Sequence, residues 1–134
     1  KIARWSADEG TKIHDDGTVK WTESKYRSGK LRQREPIVNG KRQGMATYWH
    51  ENGKIYTVVP WDQDQKHGRY KTYREDGTLE QSLSFRLGKP HGLLTWYNEQ
   101  GQPYARALYE NGEKISDDKS VLDVLAKEID GSSY

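Results

Sequence analysis

Glycine recurs along this chain with a period of 24 residues. Gly44, Gly68 and Gly92 hold one phase, and Gly53, Gly77 and Gly101 follow nine positions after each of them. Five positions after the first glycine stands an aromatic: Trp49, Tyr73 or Tyr97. Two positions after the second come Ile55, Leu79 and Pro103, and eight after it come Trp61, Phe85 and Tyr109. A period of this length marks a supersecondary unit that cannot bury its apolar surface alone and must stack on copies of itself. Gly88 and Gly112 share a further phase, in which Asp64 is the exception. Followed backwards, Ser28-Gly29-Lys30-Leu31 matches Asn52-Gly53-Lys54-Ile55, while Asp16-Gly17-Thr18-Val19 reads as a degenerate turn. About four units result, three of them clear.

The turns identify the unit as a β-hairpin. Glu51-Asn52-Gly53, Glu75-Asp76-Gly77 and Glu99-Gln100-Gly101 fit a three-residue loop that ends on a left-handed residue, a conformation glycine takes at little cost. Such a loop sets His50 opposite Lys54, and so Trp49 opposite Ile55, Tyr73 opposite Leu79 and Tyr97 opposite Pro103. Strict alternation then predicts Val59, Leu83, Trp61, Phe85 and Tyr109 on that same face, as one continuous apolar seam. The other face is expected to pair Tyr48 with Tyr56, Thr72 with Glu80 and Trp96 with Tyr104, a pattern that changes from unit to unit.

Composition suits a thin sheet. Hydrophobic residues make up 32%, charged residues 31%, and the mean hydropathy is −1.13, too polar for a thick aliphatic core. Disorder is opposed by 5 Trp, 9 Tyr and 1 Phe, residues that disordered segments lack and that can shield a sheet while keeping a polar tip wet. The net charge of +2 is spread along the chain and leaves no footprint for nucleic acid. With no cysteine, disulfides, thiol catalysis and zinc–thiolate sites are excluded. No apolar run approaches the length of a transmembrane helix. The first residue is Lys1 rather than Met, which motivates the expectation of an exported protein, periplasmic or outer-membrane-associated, over a cytoplasmic one; a trimmed chain explains the same fact.

Near the end the period changes. Val121, Leu122, Leu125 and Ile129 recur at helical spacing behind Asp117 and Asp118, which suits an amphipathic helix from Ser116 to about Asp130 that caps the open edge of the last hairpin. The expected organisation is an irregular segment with one degenerate hairpin over 1–28, hairpin repeats over 29–115, and the helix and tail over 116–134. The fold class expected is all-β: an elongated single-layer antiparallel sheet of tandem hairpins with a short C-terminal helix.

Asn39-Gly40-Lys41-Arg42-Gln43-Gly44, Gln65-Lys66-His67-Gly68 and Gly88-Lys89-Pro90-His91-Gly92, with the aromatic and turn glycine after each, resemble the MORN repeat in its bacterial variant form. The resemblance spans roughly Gly17 to Ile115 and departs at Asp64, at Pro60 and Pro103 within strands, and over Lys1 to Ser28. It implies a sheet of successive hairpins and a range of roles, among them antitoxin or immunity-like proteins and exported envelope proteins. No single activity follows from it. Choline-binding repeats are also glycine- and aromatic-rich hairpins, but of a shorter unit with adjacent aromatics.

Glu51, Glu75 and Glu99 recur on exposed turns, where polar residues serve loop structure, rather than as a facing acid pair. His67 and His91 hold equivalent linkers, roughly 10 Å apart if each hairpin contributes two strands, too far to share a metal. No catalytic residue, metal site or cofactor is expected. The remaining candidates are the aperiodic aromatics Tyr48, Tyr56, Tyr70, Trp96 and Tyr104, with Trp21, which offer a binding platform or simply cover the sheet. The function expected is a non-catalytic protein-interaction module, antitoxin or immunity-like, holding a protein partner along one face; the alternative is an envelope module that binds cell-wall glycan.

Overall fold

The structure, a computed structural model, describes residues 11–15 and 19–131. Among the described residues thirteen strands form one open antiparallel sheet: β1 (Thr11–Asp15), β2 (Lys20–Lys25), β3 (Leu31–Val38), β4 (Lys41–Arg42), β5 (Gly44–Trp49), β6 (Ile55–Asp62), β7 (Gln65–Lys66), β8 (Gly68–Tyr73), β9 (Leu79–Arg86), β10 (Lys89–Pro90), β11 (Gly92–Tyr97), β12 (Pro103–Glu110) and β13 (Glu113–Ser116). One helix, α1 (Lys119–Gly131), follows. The order is a meander in which each strand pairs with the one before and the one after, and β4, β7 and β10 are short lead-ins to β5, β8 and β11. The degenerate turn at Asp16-Gly17-Thr18 lies outside the described residues.

Two kinds of turn alternate and form the two rims of the sheet. At one rim the expected three-residue loops close, with His50 N–H donating to the Lys54 carbonyl at 2.8 Å and Gly53 at φ 91°. The same loop recurs at Gly29, so β2 and β3 form a hairpin that crosses residue 28 and repeats the turn of the later units. At the other rim, two-residue turns carry a positive φ at both positions: Asn39-Gly40, Gln63-Asp64, Leu87-Gly88 and Asn111-Gly112. That is the type I′ geometry whose twist matches the flanking strands. Asp64, at φ 67°, takes the left-handed position that glycine fills elsewhere.

One extra residue changes which face the core uses. Trp49 does pair with Ile55, but Tyr48 pairs with Thr57, because a β-bulge interrupts the register between Tyr48 and Trp49. The same shift falls between Ser24 and Lys25, Thr72 and Tyr73, and Trp96 and Tyr97. A bulge sets two residues against one, so alternation is reset beyond it. The expected continuous seam is therefore split: Trp49, Tyr73 and Tyr97 lie on the face opposite Val59, Leu83, Trp61, Phe85 and Tyr109. Tyr56, Glu80 and Tyr104 are left at the bulges rather than paired with Tyr48, Thr72 and Trp96.

On the face that carries Tyr48, the buried apolar residues make a single lateral row. Ala46, Val59, Leu83, Leu94 and Ala107 stand in that row, and each is less than 9% exposed. Beside it runs a row with buried Ser24, Thr57 and Thr72, where the Thr57 hydroxyl donates to the Lys71 carbonyl at 2.8 Å. On the other side, Trp61, Phe85 and Tyr109 lie opposite Gly44, Gly68 and Gly92. A hydrophobic core one residue wide explains how so polar a chain folds: β5–β6 and β11–β12 each contribute two members, and β8–β9 contributes Leu83 with half-buried Tyr70 opposite it.

Both rims are tied sideways with the repeat period. Tyr26 hydroxyl, His50 Nε2–H and Arg74 guanidinium donate to the carbonyls of Trp49, Tyr73 and Tyr97, each in the next hairpin. At the other rim, Gln63, Leu87 and Asn111 N–H groups donate to Gln43 Oε1, His67 Nδ1 and His91 Nδ1 at 2.9, 3.2 and 3.2 Å. Helix α1 packs on β12 through buried Leu122 and Ala126. It begins at Lys119, later than expected, because β13 runs on to Ser116 and Asp118 supplies the cap through a 2.9 Å bond from Ser120 N–H.

These geometries lead to three expectations in chemical denaturation. Gly68 has φ 119°, and an added Cβ would come within 3.3 Å of the Pro60 ring. Gly68→Ala should cost about 1–3 kcal/mol. Leu87 holds φ 50° with 63% of its surface exposed, where two sister turns use Asn39 and Asn111. Leu87→Asn should stabilise by about 1 kcal/mol. His67→Ala should lose about 0.5–1.5 kcal/mol, and His67→Gln clearly less, since Gln43 performs the same task one unit earlier.

Candidate functional site

Of the five aromatic candidates, three sit within the framework of the sheet. The Tyr48 hydroxyl donates to Glu35, one strand over. Burial first, then the bond to Glu35 and its charge, push the Tyr48 phenol above the ordinary tyrosine range. Tyr70 packs edge-on against Phe85 with ring centroids 5.5 Å apart, and Lys66 Nζ lies 5.2 and 5.1 Å from the two rings. One unit earlier the Arg42 guanidinium stands 3.7 Å above the Trp61 ring and bonds Asp64 at 2.8 Å. Trp96 is half-buried in the same row as Tyr48 and Thr72. A cation lying over an aromatic ring contributes modestly at exposed sites and shields the ring from water.

The other two candidates are bulge residues and point outward. Tyr56 is 47% exposed, with the His50 ring edge-on to it at 4.9 Å, and Tyr104 is 60% exposed. With Arg32 and Glu80 they make one exposed residue per hairpin at period 24. Bulges often serve to re-aim a side chain in this way. Neither the strand pattern nor the glycine spacing reveals this row, because a sheet with or without the bulge keeps the same period.

Trp21 lies on the opposite face. Arg34 stacks over it at 3.9 Å and pairs with Glu23 at 3.1 Å, beside half-exposed Met45 and half-buried Trp49 in a shallow hollow. A second cleft, of about 380 Å³, lies where the array ends. It is lined by Trp96, Tyr104 and Ala105 from the sheet and by Lys119 and Asp123 from α1, so it gathers two of the five candidates. Sequence reasoning missed the residues of α1, since nothing in the repeat says where the helix docks.

The cleft sets three cations against two carboxylates. Arg106 and Lys119 both pair with Asp123, the latter at 2.6 Å, and Lys114 pairs with Asp117 at 3.1 Å. The Asp123 carboxyl is held below the ordinary aspartate range, chiefly by the bond from Lys119. Among the described residues no group of three His, Cys, Asp or Glu could hold a metal, and His67 and His91 are occupied by turn N–H groups. Glu51, Glu75 and Glu99 are exposed on the turns. No described helix is long and apolar enough to cross a membrane.

Residues 42–63, 66–86 and 90–111 match the family model described as MORN repeat variant. Each segment runs from a lead-in strand to the two-residue turn after the long strand, so the family unit and the structural unit coincide. Repeats of this family are non-catalytic interaction modules, directed to proteins or membranes. No curated protein matches the sequence. Among solved structures, the chain is similar to a point mutant of S. aureus TarM in complex with fondaparinux, α-GlcNAc-glycerol and UDP, with TM-score 0.53 and 8% identity over 90% of this chain and 24% of that one. A second TarM crystal structure matches with TM-score 0.53 and 9% identity over the same shares. At that identity the likeness concerns the fold alone, and this chain spans about a quarter of the TarM chains, 24% of their length.

The ion pairs carry a pH expectation. Asp64, exposed as it is, is held below the ordinary aspartate range by the Arg42 side chain and then the Arg42 N–H. A carboxyl lowered on folding adds stability above its unfolded value, about 3.9, and loses it as pH falls through the folded one. Asp64→Asn should therefore flatten the acid limb of the stability–pH curve and leave its shape at neutral pH unchanged, as followed by denaturant midpoints.

Proposed function

We propose, for a chain that belongs to the MORN repeat variant family, the role of a non-catalytic module that holds a protein partner along the sheet. The observation that supports this is the row of bulge residues Arg32, Tyr56, Glu80 and Tyr104, exposed at one per hairpin. The residues around them are committed to the core row, the ring–cation stacks and the lateral hydrogen bonds. These four differ in chemistry from unit to unit, two of them are tyrosines, and their spacing is set by a rigid sheet. Such pre-organised aromatic positions bind at low entropic cost. The flat ladder, with its side chains already engaged, offers no set of convergent groups for bond-breaking chemistry.

Within that class the specific role is of the antitoxin or immunity kind, in which the sheet acts by occupying the working surface of its partner. The family resemblance supports this, together with a site that has extent along the array rather than depth. A photo-crosslinker placed at position 56 should capture the partner, and the purified complex should lack the activity the free partner shows. Tyr56→Ala and Tyr104→Ala should each weaken capture by about 2 kcal/mol, roughly thirtyfold, while stability stays within about 0.5 kcal/mol. Unchanged affinity in both variants would reject this row as the contact surface.

A further inference from the structure

We infer that the free edge of β12 takes up an extended segment of a protein partner, which adds as one more strand beside β12 at the cleft. This rests on the protein-binding reading above and names what the end of the array would receive. The repeat itself shows what belongs there. Gln33 and Arg34 of β3 pair with Tyr48 and Thr47 of β5, and Thr57 and Val58 of β6 pair with Thr72 and Lys71 of β8. Gln81 and Ser82 of β9 pair in turn with Trp96 and Thr95 of β11. One period later the same positions are Ala105 and Arg106 of β12, and among the described residues no strand pairs with them. The last strand, β13, reaches only Leu108, Tyr109 and Glu110 before the chain leaves for α1. A row of edge N–H and C=O groups without a strand partner is a template for strand addition. From Pro103 to Ala107 this edge is about 13 Å long at 3.3 Å per residue.

The cleft of about 380 Å³ lies along that edge, with a volume within the range of specific small binding sites, about 300–1,000 Å³. The Arg106–Asp123 pair holds α1 against β12 beside the cleft, so the space suits one extended segment and not the edge of a second sheet. Its chemistry narrows the segment further. The small side chain of Ala105 leaves room beside Trp96 and exposed Tyr104, which favours an aromatic or aliphatic residue on that face. On the other face Arg106 Nε is buried with no acceptor, and the equivalent incoming residues in the array are Thr47, Lys71 and Thr95. An acceptor-bearing residue such as Thr or Asn answers it. The cleft's cations Arg106, Lys114 and Lys119 outnumber its carboxylates Asp117 and Asp123 by one, so a strongly basic segment is disfavoured.

The array supplies its own probe: a synthetic peptide with the sequence of residues 91–98, His-Gly-Leu-Leu-Thr-Trp-Tyr-Asn, the strand that β9 receives. Titrated into the isotope-labelled full chain, it should bind saturably, with backbone amide shifts confined to 103–107 and the first turns of α1. Peptides N-methylated at alternate residues should separate into two classes, one phase losing at least tenfold in affinity and the other nearly unaffected, which is the signature of one-sided strand pairing. Ala105→Trp, which fills the cleft, should abolish binding with an unchanged far-ultraviolet spectrum; the methylated peptides provide the same test on the unaltered chain. Absence of saturable binding, equal loss in both methylation phases, or binding of a neutral disaccharide in the cleft without binding of the peptide would overturn the inference. Failure here with Tyr56 still required for partner capture removes this edge site alone. Peptide binding with no effect of Tyr56→Ala removes the bulge-row reading instead.

Discussion

Lateral register between hairpins is the constraint on which everything else in this structure depends. Ala46, Val59, Leu83, Leu94 and Ala107 become a core only when three successive hairpins lie side by side with their positions matched. No hairpin contributes more than two of these side chains to that row, and a lone hairpin is marginal in water. Stability is thus a property of the stack, and the rims show how the stack is kept in phase. At one rim a side chain reaches the carbonyl of the next turn; at the other, a turn N–H reaches back to Gln43, His67 or His91. Chemically different residues perform each task, which shows that the geometry of the rim, and not the residue type, is what recurs.

The bulge ties the fold to its surface. By inserting one residue after each three-residue turn, it moves the large ring at 49, 73 and 97 to one face and the core row to the other. It also creates an exposed position in each hairpin, held by Arg32, which donates to Ser24, by Tyr56, by Glu80, which accepts from Thr72, and by Tyr104. A repeat protein that must stay in register has few places where sequence can vary without cost. The bulge is one of them, and the end of the array is another, since among the described residues no further hairpin follows β13. Both lie where the aromatic candidates Tyr56, Trp96 and Tyr104 are found, while Tyr48 and Tyr70 are engaged by Glu35 and by Phe85 with Lys66.

Much of this was legible before any coordinates. Gly53, Gly77 and Gly101 announce their turns because only a left-handed residue closes a three-residue loop, and a 24-residue spacing of turn and aromatic leaves stacked hairpins as the natural outcome. Local backbone chemistry and periodicity are written into short stretches of sequence, so the strands, the turns and the closing helix could be placed. The facing of side chains beyond the bulge could not. Both registers of Tyr48, against Tyr56 or against Thr57, keep the same turn and the same period, and they differ in which neighbours a side chain meets across three or four strands.

For this protein, then, the amino-acid order by itself determined a tandem array of antiparallel hairpins closed by a helix, because glycines, turns and apolar spacing act over a few residues at a time. The tertiary structure alone decided which face is the core, which tyrosines are left outside, and that Trp96, Tyr104 and α1 enclose a cleft beside an unpaired strand edge. The physical reason is that those outcomes depend on sums over neighbouring hairpins and on where a helix comes to rest, quantities that no single repeat contains.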